Sequence, residues 1–270
     1  MTHITGPTIQ LAQDGNATAL EDIIRGIQKQ VYQLAIRMLA DPDAAQDATQ
    51  EILIRVVTKL STFRAESRFE TWVYRVATNY LIRARKIRVN DPNLTFDAFS
   101  QDLIDGLSDD NNKAPDEHVM LNELRIKCTM AMLLCLDREH RAAYILGDIL
   151  EFDHSIASDI LEISPANYRK RLSRARDRVQ TFTAATCGLA NRSAACSCRK
   201  RLPAAMASGR IGIQPSAALA DAPRFADAAA EVSDIQSSLI AAKLQRSTGA
   251  HVPLRDYASA VLNIIETTQT

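Results

Sequence analysis

"FETWVYRVATNY", residues 69–80, gathers Phe69, Trp72, Tyr74 and Tyr80 in a chain that is only 5% aromatic. Phe69, Val73, Val76 and Tyr80 fall at i, i+4, i+7 and i+11, the spacing of one helix face, and are expected to turn inward. Trp72, Arg75, Asn79 and Arg83 fall at i, i+3, i+7 and i+11 on the adjacent face. That face carries a ring, two cations and an amide and is free to look outward. The spacing predicts a helix over 69–88 with one face for a core and one for a partner.

Upstream, Ile24, Ile27, Val31, Leu34, Ala35 and Met38 recur at steps of three and four, which predicts a helix over 20–39. "ADPDAAQD" ends it, because Pro42 cannot continue a helix and Asp41 and Asp43 are natural caps. The next helix, about 44–60, is expected to bury Ile52, Leu53, Val56, Val57 and Leu60 and to leave Asp47, Gln50, Glu51 and Arg55 on its outer side. Downstream, periodicity lapses between Asn90 and Asp116, where Asp, Asn and Pro dominate and the segment reads as a partly disordered linker.

Helical spacing resumes near Val119 with Leu121, Leu124, Cys128, Met132 and Leu136, followed by a second run over 138–150. "FDHSIASDILEISPANYRKRLSRARDRV" then reads as a short helix, a break at Leu161 to Ser164, and a long helix with Ser164 as N-cap and Pro165 at its first position. Two helices joined by so brief a turn form a helix-turn-helix. Tyr168, Leu172, Ala175, Val179 and Phe182 make the core seam of the second helix. Its other side collects Ala166, Asn167, Lys170, Ser173 and Arg174, with Arg169 and Arg178 on the flanks. A small, polar, basic face at the start of such a helix is what entry into the DNA major groove requires.

Charge follows the same division. Lys plus Arg equals Asp plus Glu at 32 each, so the whole chain has no bias toward a polyanion. Locally, Arg64 to Arg88, Arg169 to Arg178 and Arg192 to Arg210 are basic, while Asn90 to His118 is acidic with Lys113 as its one basic residue. Segregation of this kind reads as separate polyanion-binding surfaces joined by an acidic connector. The N-terminus lacks the basic-then-apolar run of a secretory signal, and no apolar stretch is long enough to span a bilayer, so a cytoplasmic protein is expected. His140 and His154 have no catalytic arrangement around them, and no phosphate loop, nucleophile elbow or zinc-protease motif occurs, which argues against an enzyme and against a small-molecule substrate.

"DAAQDATQEILIRVVTKLSTFRAESRFETWVYRVATNYLIRAR" and "SIASDILEISPANYRKRLSRAR" together resemble the two conserved domains of bacterial extracytoplasmic-function sigma factors. The resemblance spans roughly Leu20 to Phe182. It implies an all-α architecture: an N-terminal tail (1–19), a polymerase-docking and −10-melting bundle (20–89), an acidic linker (90–118), a helix-turn-helix domain for the −35 element (119–183), and an Ala-rich, partly helical C-terminal extension (184–270). RNA polymerase core and promoter DNA are the implied partners, and an anti-sigma protein is a candidate third. Carried over by position, Asp47, Gln50, Glu51 and Arg55 match the polymerase-docking surface. Trp72, Arg75, Asn79 and Arg83 match the strand-capturing helix, and Arg64 and Arg68 the loop beside it. Ala166, Asn167, Arg169, Lys170, Ser173 and Arg174 match the −35 reader. The family often has Glu-Ile-Ala in the first helix of this motif and Gly-Thr-Val-Lys at the start of the second. Here those places read Ser155, Ile156, Ala157 and Ala166, Asn167, Tyr168, Arg169, which leaves the −35 preference open.

The extension goes beyond the two-domain pattern. Cys187, Cys196 and Cys198, as C-x8-C-x-C, supply three soft ligands where zinc wants four, and no nearby Cys or His in sequence completes the set. No cofactor is expected elsewhere; zinc and a redox switch are both candidates at this cluster, beside cysteines without a role. Cys128 and Cys135 read as core residues. Two other functions compete with a sigma factor: an ordinary helix-turn-helix regulator, and a thiol or zinc sensor with an ancillary DNA-binding part.

Overall fold

The computed structural model describes residues 4–83, 94–108, 117–211, 237–248 and 255–269, with 225, 227, 229, 230 and 253 besides. Among the described residues every regular element is helical apart from an isolated bridge between Cys187 and Cys196. The chain forms two units: residues 1–89, 153–168 and 251–270, and residues 90–152 and 169–250.

In the first unit α1 (Gly6–Gln13) precedes the central α2 (Ala17–Leu39), which packs on α3 (Pro42–Thr58) and α4 (Phe69–Arg83). Asn16 caps α2 by accepting from the Ala19 amide. The helix stops at Ala40, whose left-handed φ of 53° turns the chain so that Asp41 caps α3 with Pro42 in its first turn. Ile23, Ile24, Ile27 and Leu34 of α2 and Ile52, Leu53 and Val56 of α3 are all sealed from solvent in this core.

The segment expected to be a tail is folded instead. Thr5 caps α1, and the Gln13 side-chain amide donates to Leu60 O and Phe63 O at 2.9 and 3.0 Å, pinning the loop before α4. At Gly26 a Cβ would lie 2.9 Å from Ile4 Cδ1, so the tip of Ile4 packs directly over the helix there.

A second correction concerns α4. Phe69 and Val73 are buried as expected, but Val76 and Tyr80 are only half-buried; Tyr74, Ala77 and Leu81 fill the core in their place. The inward face is thus rotated by part of a turn, because the contacts of α4 with α2 and α3 decide which of two neighbouring apolar stripes is covered. The same unit also holds α8 (His154–Ile160), which packs on α4, and the C-terminal α12 (Ala258–Gln269), which packs on α2 and α3.

The second unit contains α5 (Phe96–Asp105), α6 (Glu117–Leu134), α7 (Arg138–Tyr144) running on into a π turn at Ile145–Ile149, most of α9 (Pro165–Thr186), α10 (Cys198–Ala207) and α11 (Ser237–Arg246). Helix α5 lies in the expected linker. Its Phe99 and Leu103 join Met132 and Phe182 in a core cluster, with Phe99 stacked on Phe182 at 5.4 Å. The polar composition around α5 hid that short apolar face; residues 90–93 and 109–116 of the linker reading, and 84–88 of the helix expected over 69–88, lie outside the described residues.

The C-terminal extension is integral as well. Leu202, Ala205 and Ile211 pack with Met120, Leu121 and Leu124 of α6. The Gln245 amide donates to Thr129 O at 2.8 Å, and the buried Arg125 donates to Ser247 Oγ and Ser247 O. Arg141, almost wholly buried, donates to Leu133 O, Leu134 O and Leu136 O, so a cation satisfies the last carbonyls of α6.

Candidate nucleic-acid interface

Within the first unit, α3 and α4 enclose a cleft of about 500 Å³ lined by Arg55, Lys59, Thr62, Trp72, Arg75, Val76, Asn79, Tyr80, Arg83 and Glu162. Trp72, Arg75, Asn79 and Arg83 therefore come together as their spacing requires. Trp72 is the outermost of three rings, 5.6 Å from Phe63 and 5.8 Å from Phe69, and half-buried, so one side of the indole is held by aromatic packing. Arg64 and Arg68 are exposed on the loop leading into α4.

Five cleft residues escaped the sequence reading: Lys59, Thr62, Val76, Tyr80 and Glu162. Lys59 adds a cation from the end of α3. Tyr80, counted as core, offers its ring to Arg55, whose guanidinium sits 5.0 Å from the ring centre. Burial foremost, then the Glu51 carboxylate, holds the Tyr80 hydroxyl above its ordinary pKa, with Arg55 opposing. The structure thus brings Arg55, also paired with Glu51 at 2.7 Å, into the cleft, while Asp47 stays on the outer side of α3. Glu162 comes from the turn after α8, at a φ of 54°, a position the sequence presents only as part of a helix break.

The cleft's polar groups are engaged. Arg75 Nε donates to Asp159 O at 3.1 Å, and Asn79 Nδ2 donates to Glu162 Oε2 at 2.7 Å. Part of the face expected to look outward is thus held by α8 and its turn, through Arg75 and Asn79, while Arg83 is exposed.

The C-terminal residues also pack on α2 and α3, reaching the edge of their outer side, where Asp47 keeps 84% of its side chain exposed. Tyr257 and Ala258 are buried, and the Tyr257 amide donates to Gln28 Oε1 at 3.0 Å. Arg255 Nε donates to Gln46 Oε1 at 3.1 Å and lies 3.8 Å from Asp47, while Asp256 pairs with Arg25 at 3.2 Å. Gln50 and Glu51 are half-buried one turn further along α3.

The α9 surface has the expected division. Ala166, Asn167, Arg169, Lys170, Ser173, Arg174 and Arg178 are exposed; Tyr168, Leu172, Ala175, Val179 and Phe182 are buried. Ser164 accepts from the Asn167 amide at 3.3 Å, fixing the start of the helix. Arg171 and Arg176 are structural, paired with Glu139 and with the buried Asp148. Within the basic run Arg192 to Arg210, Arg201 and Arg210 both bind Asp102 of α5, while Arg192, Arg199 and Lys200 are exposed. Cys187, Cys196 and Cys198 lie at the junction of α9 and α10.

Two family descriptions match the chain: Sigma-70 region 2 over residues 23–88, and Sigma-70, region 4 over residues 126–179. The "ECF RNA polymerase sigma factor SigW" of Bacillus subtilis is 29% identical over 64% of this chain and 92% of its own length. The "Probable RNA polymerase sigma-C factor" of Mycobacterium bovis is 29% identical over 62% of this chain and 84% of its own. The chain belongs to the extracytoplasmic-function sigma factors. Region 2 takes in α2 to α4 and with them the aromatic and basic cleft; region 4 takes in most of α6 through α9. Helix α5 and everything after Val179 lie outside both matches. A solved structure of "CnrH in complex with the cytosolic domain of CnrY" aligns with 66% of this sigma factor at 17% identity and a TM-score of 0.46.

Proposed function

We propose that this sigma factor directs core RNA polymerase to promoters through three surfaces: the α2/α3 face around Asp47 for the polymerase, the α4 cleft for the −10 strand, and the α9 face for the −35 duplex. The observation that carries the reading is the cleft itself. A ring held from behind and flanked by Arg55, Lys59, Arg75 and Arg83 suits an unpaired base on a phosphodiester backbone. Stacking is worth about 1–3 kcal/mol per base, comparable to the few kcal/mol of unstacking, so the binding energy of the strand can open the duplex without nucleotide hydrolysis. The chain acts by binding and has no catalytic step of its own, and it works where the chromosome is, in the cytoplasm.

In this reading the described arrangement is a closed form. Arg75 and Asn79 must exchange Asp159 and Glu162 for DNA, and polymerase must displace the C-terminal residues 255–269 to reach α2 and α3.

Run-off transcription with core polymerase tests the assignment. Trp72→Ala should lower the open-complex equilibrium constant on a cognate promoter about 5- to 150-fold, the equivalent of one stacked base. Full activity in the variant refutes the role of the cleft, and absence of any transcript with the native protein refutes the function.

A further inference from the structure

Four of the five cysteines meet on one side of α6, although one of them stands far from the others in sequence. Cys128 and Cys196 both pack against the cluster of Phe99, Leu103, Met132 and Phe182. Cys198 packs against the cluster containing Leu121 and Leu124, and Leu124 precedes Cys128 by one helical turn. Cys187 is joined to Cys196 by the isolated bridge, with the Gly188 amide donating to Cys196 O at 2.9 Å. A Cβ at Gly188 would stand 2.5 Å from that oxygen, so the approach of the two cysteine segments requires glycine here.

A tight turn follows Cys187, and burial raises its thiol pKa against two backbone amides. The Ala190 and Asn191 amides donate to Cys187 O at 3.0 and 2.9 Å, and the Leu189 and Ala190 amides point at the sulfur itself. Burial first, then the charges of Cys187, Cys198 and Cys196, drives the Cys128 thiol well above its ordinary pKa. Burial and the same neighbours raise Cys198, and Cys196 is pushed up to about 11. The four sulfurs thus feel one another, and as thiolates they would repel. Arg201 favours the thiolates of Cys128 and Cys196, and Arg125 that of Cys198; both arginines are buried. Cys135 is different: its Sγ donates to Ala131 O at 3.5 Å, and its rise to about 11 comes from burial opposed by Arg141.

We propose that Cys128, Cys187, Cys196 and Cys198 bind one zinc ion in a closed tetrathiolate site that clasps the C-terminal extension to α6. Cys128 is the fourth ligand that the spacing C-x8-C-x-C lacks. Each cysteine releases its proton to solvent and donates a sulfur lone pair to the ion, with no change of oxidation state. The complex of four thiolates and a divalent ion is doubly negative, and the buried Arg125 and Arg201, the latter shared with Asp102, offset part of that charge. No three His, Cys, Asp or Glu side chains among the described residues yet have the spacing of a formed metal site, so the ion has to draw the sulfurs inward as it displaces their protons. Uptake therefore strengthens as pH rises. The test reads metal binding and does not use transcription, so its failure is distinguishable from failure of the promoter-binding reading.

Full-length protein purified without chelator, then exposed to zinc chloride or cobalt chloride, should carry one metal per chain by elemental analysis. With cobalt it should show the sulfur-to-metal charge transfer and visible bands of tetrahedral tetrathiolate coordination. Losing even an outer-shell partner of a metal ligand costs 10- to 100-fold in affinity, so Cys128→Ser should weaken zinc binding by on the order of 100-fold or more. Cys135→Ser should leave it unchanged. Should Cys128→Ser fail to fold, alkylation of the native protein decides: zinc must protect Cys128, Cys187, Cys196 and Cys198, while Cys135 reacts at its metal-free rate. The proposal is overturned by any of four results: no bound metal, iron or copper in place of zinc, a Cys187–Cys196 disulfide in freshly purified protein, or a Cys128 that alkylates as fast with zinc as without.

Discussion

Tyr257→Ala should make this sigma factor bind core polymerase more tightly, because the side chain it removes anchors the cover over α2 and α3. Tyr257 is completely shielded from solvent, as are its neighbours Ala258 and Val261. An aromatic residue buries about 150–250 Å², worth roughly 4–6 kcal/mol at about 25 cal/mol per Å². Truncating a buried aromatic to alanine costs about 3–5 kcal/mol in practice. Ordering the segment opposes docking by about 1–2 kcal/mol for each residue fixed, so the net preference for the covered form is far smaller than the contact energy. A covered form favoured by about 1.4–2.7 kcal/mol weakens the apparent affinity about 10- to 100-fold, and loss of Tyr257 is large enough to abolish that preference. Apparent Kd for core polymerase, read by fluorescence anisotropy of the labelled full-length chain, should fall by that factor in Tyr257→Ala. Ser259→Ala, exposed on the same helix, should leave it unchanged. A Tyr257→Ala protein of native helicity whose Kd equals that of the unaltered chain refutes the idea that residues 255–269 mask the docking face.

Neutralising Lys170 or Arg174 should lower the salt dependence of binding to −35 duplex by about one unit of slope for each phosphate that is no longer neutralised. Arg176→Ala should leave that slope unchanged and lower the melting temperature, since it strips the nearly buried Asp148 of a bidentate partner. Asp102 is held below its ordinary pKa chiefly by its hydrogen bond to Arg210, against some burial, with Arg201 assisting. Its contribution to stability is therefore complete above the unfolded carboxylate value near 3.9 and lost as pH falls through the lower folded value. Thermal melts at descending pH should show a loss of stability below about pH 4 that is smaller in Asp102→Asn.

The residues of the α4 cleft illustrate how far sequence reading reaches. Trp72, Arg75, Asn79 and Arg83 share a face because helical spacing alone puts them there, and the same argument located the exposed face of α9 and its buried seam. Val76 and Tyr80 were misplaced because two apolar stripes lie side by side on α4, and only the helices packed against it choose between them. In α5, Phe96, Phe99 and Leu103 carried a readable i, i+3, i+7 signal that the surrounding acidic residues outweighed. Cys128 had no such signal: one cysteine in an apolar seam looks like any small core residue until the chain beyond α9 returns to it.

The positions of α2 to α4 and α6 to α9, the caps Asp41 and Ser164 and the polar faces followed from the sequence, since each depends on residues within a turn or two of one another. What covers those faces did not. Arg255 reaches Gln46 across 209 positions of chain, and Asn79 reaches Glu162 across 83. Contacts at such separations leave no periodic trace in the sequence, because any of several compatible surfaces satisfies the same local pattern. Only the packed chain decides which of them meet.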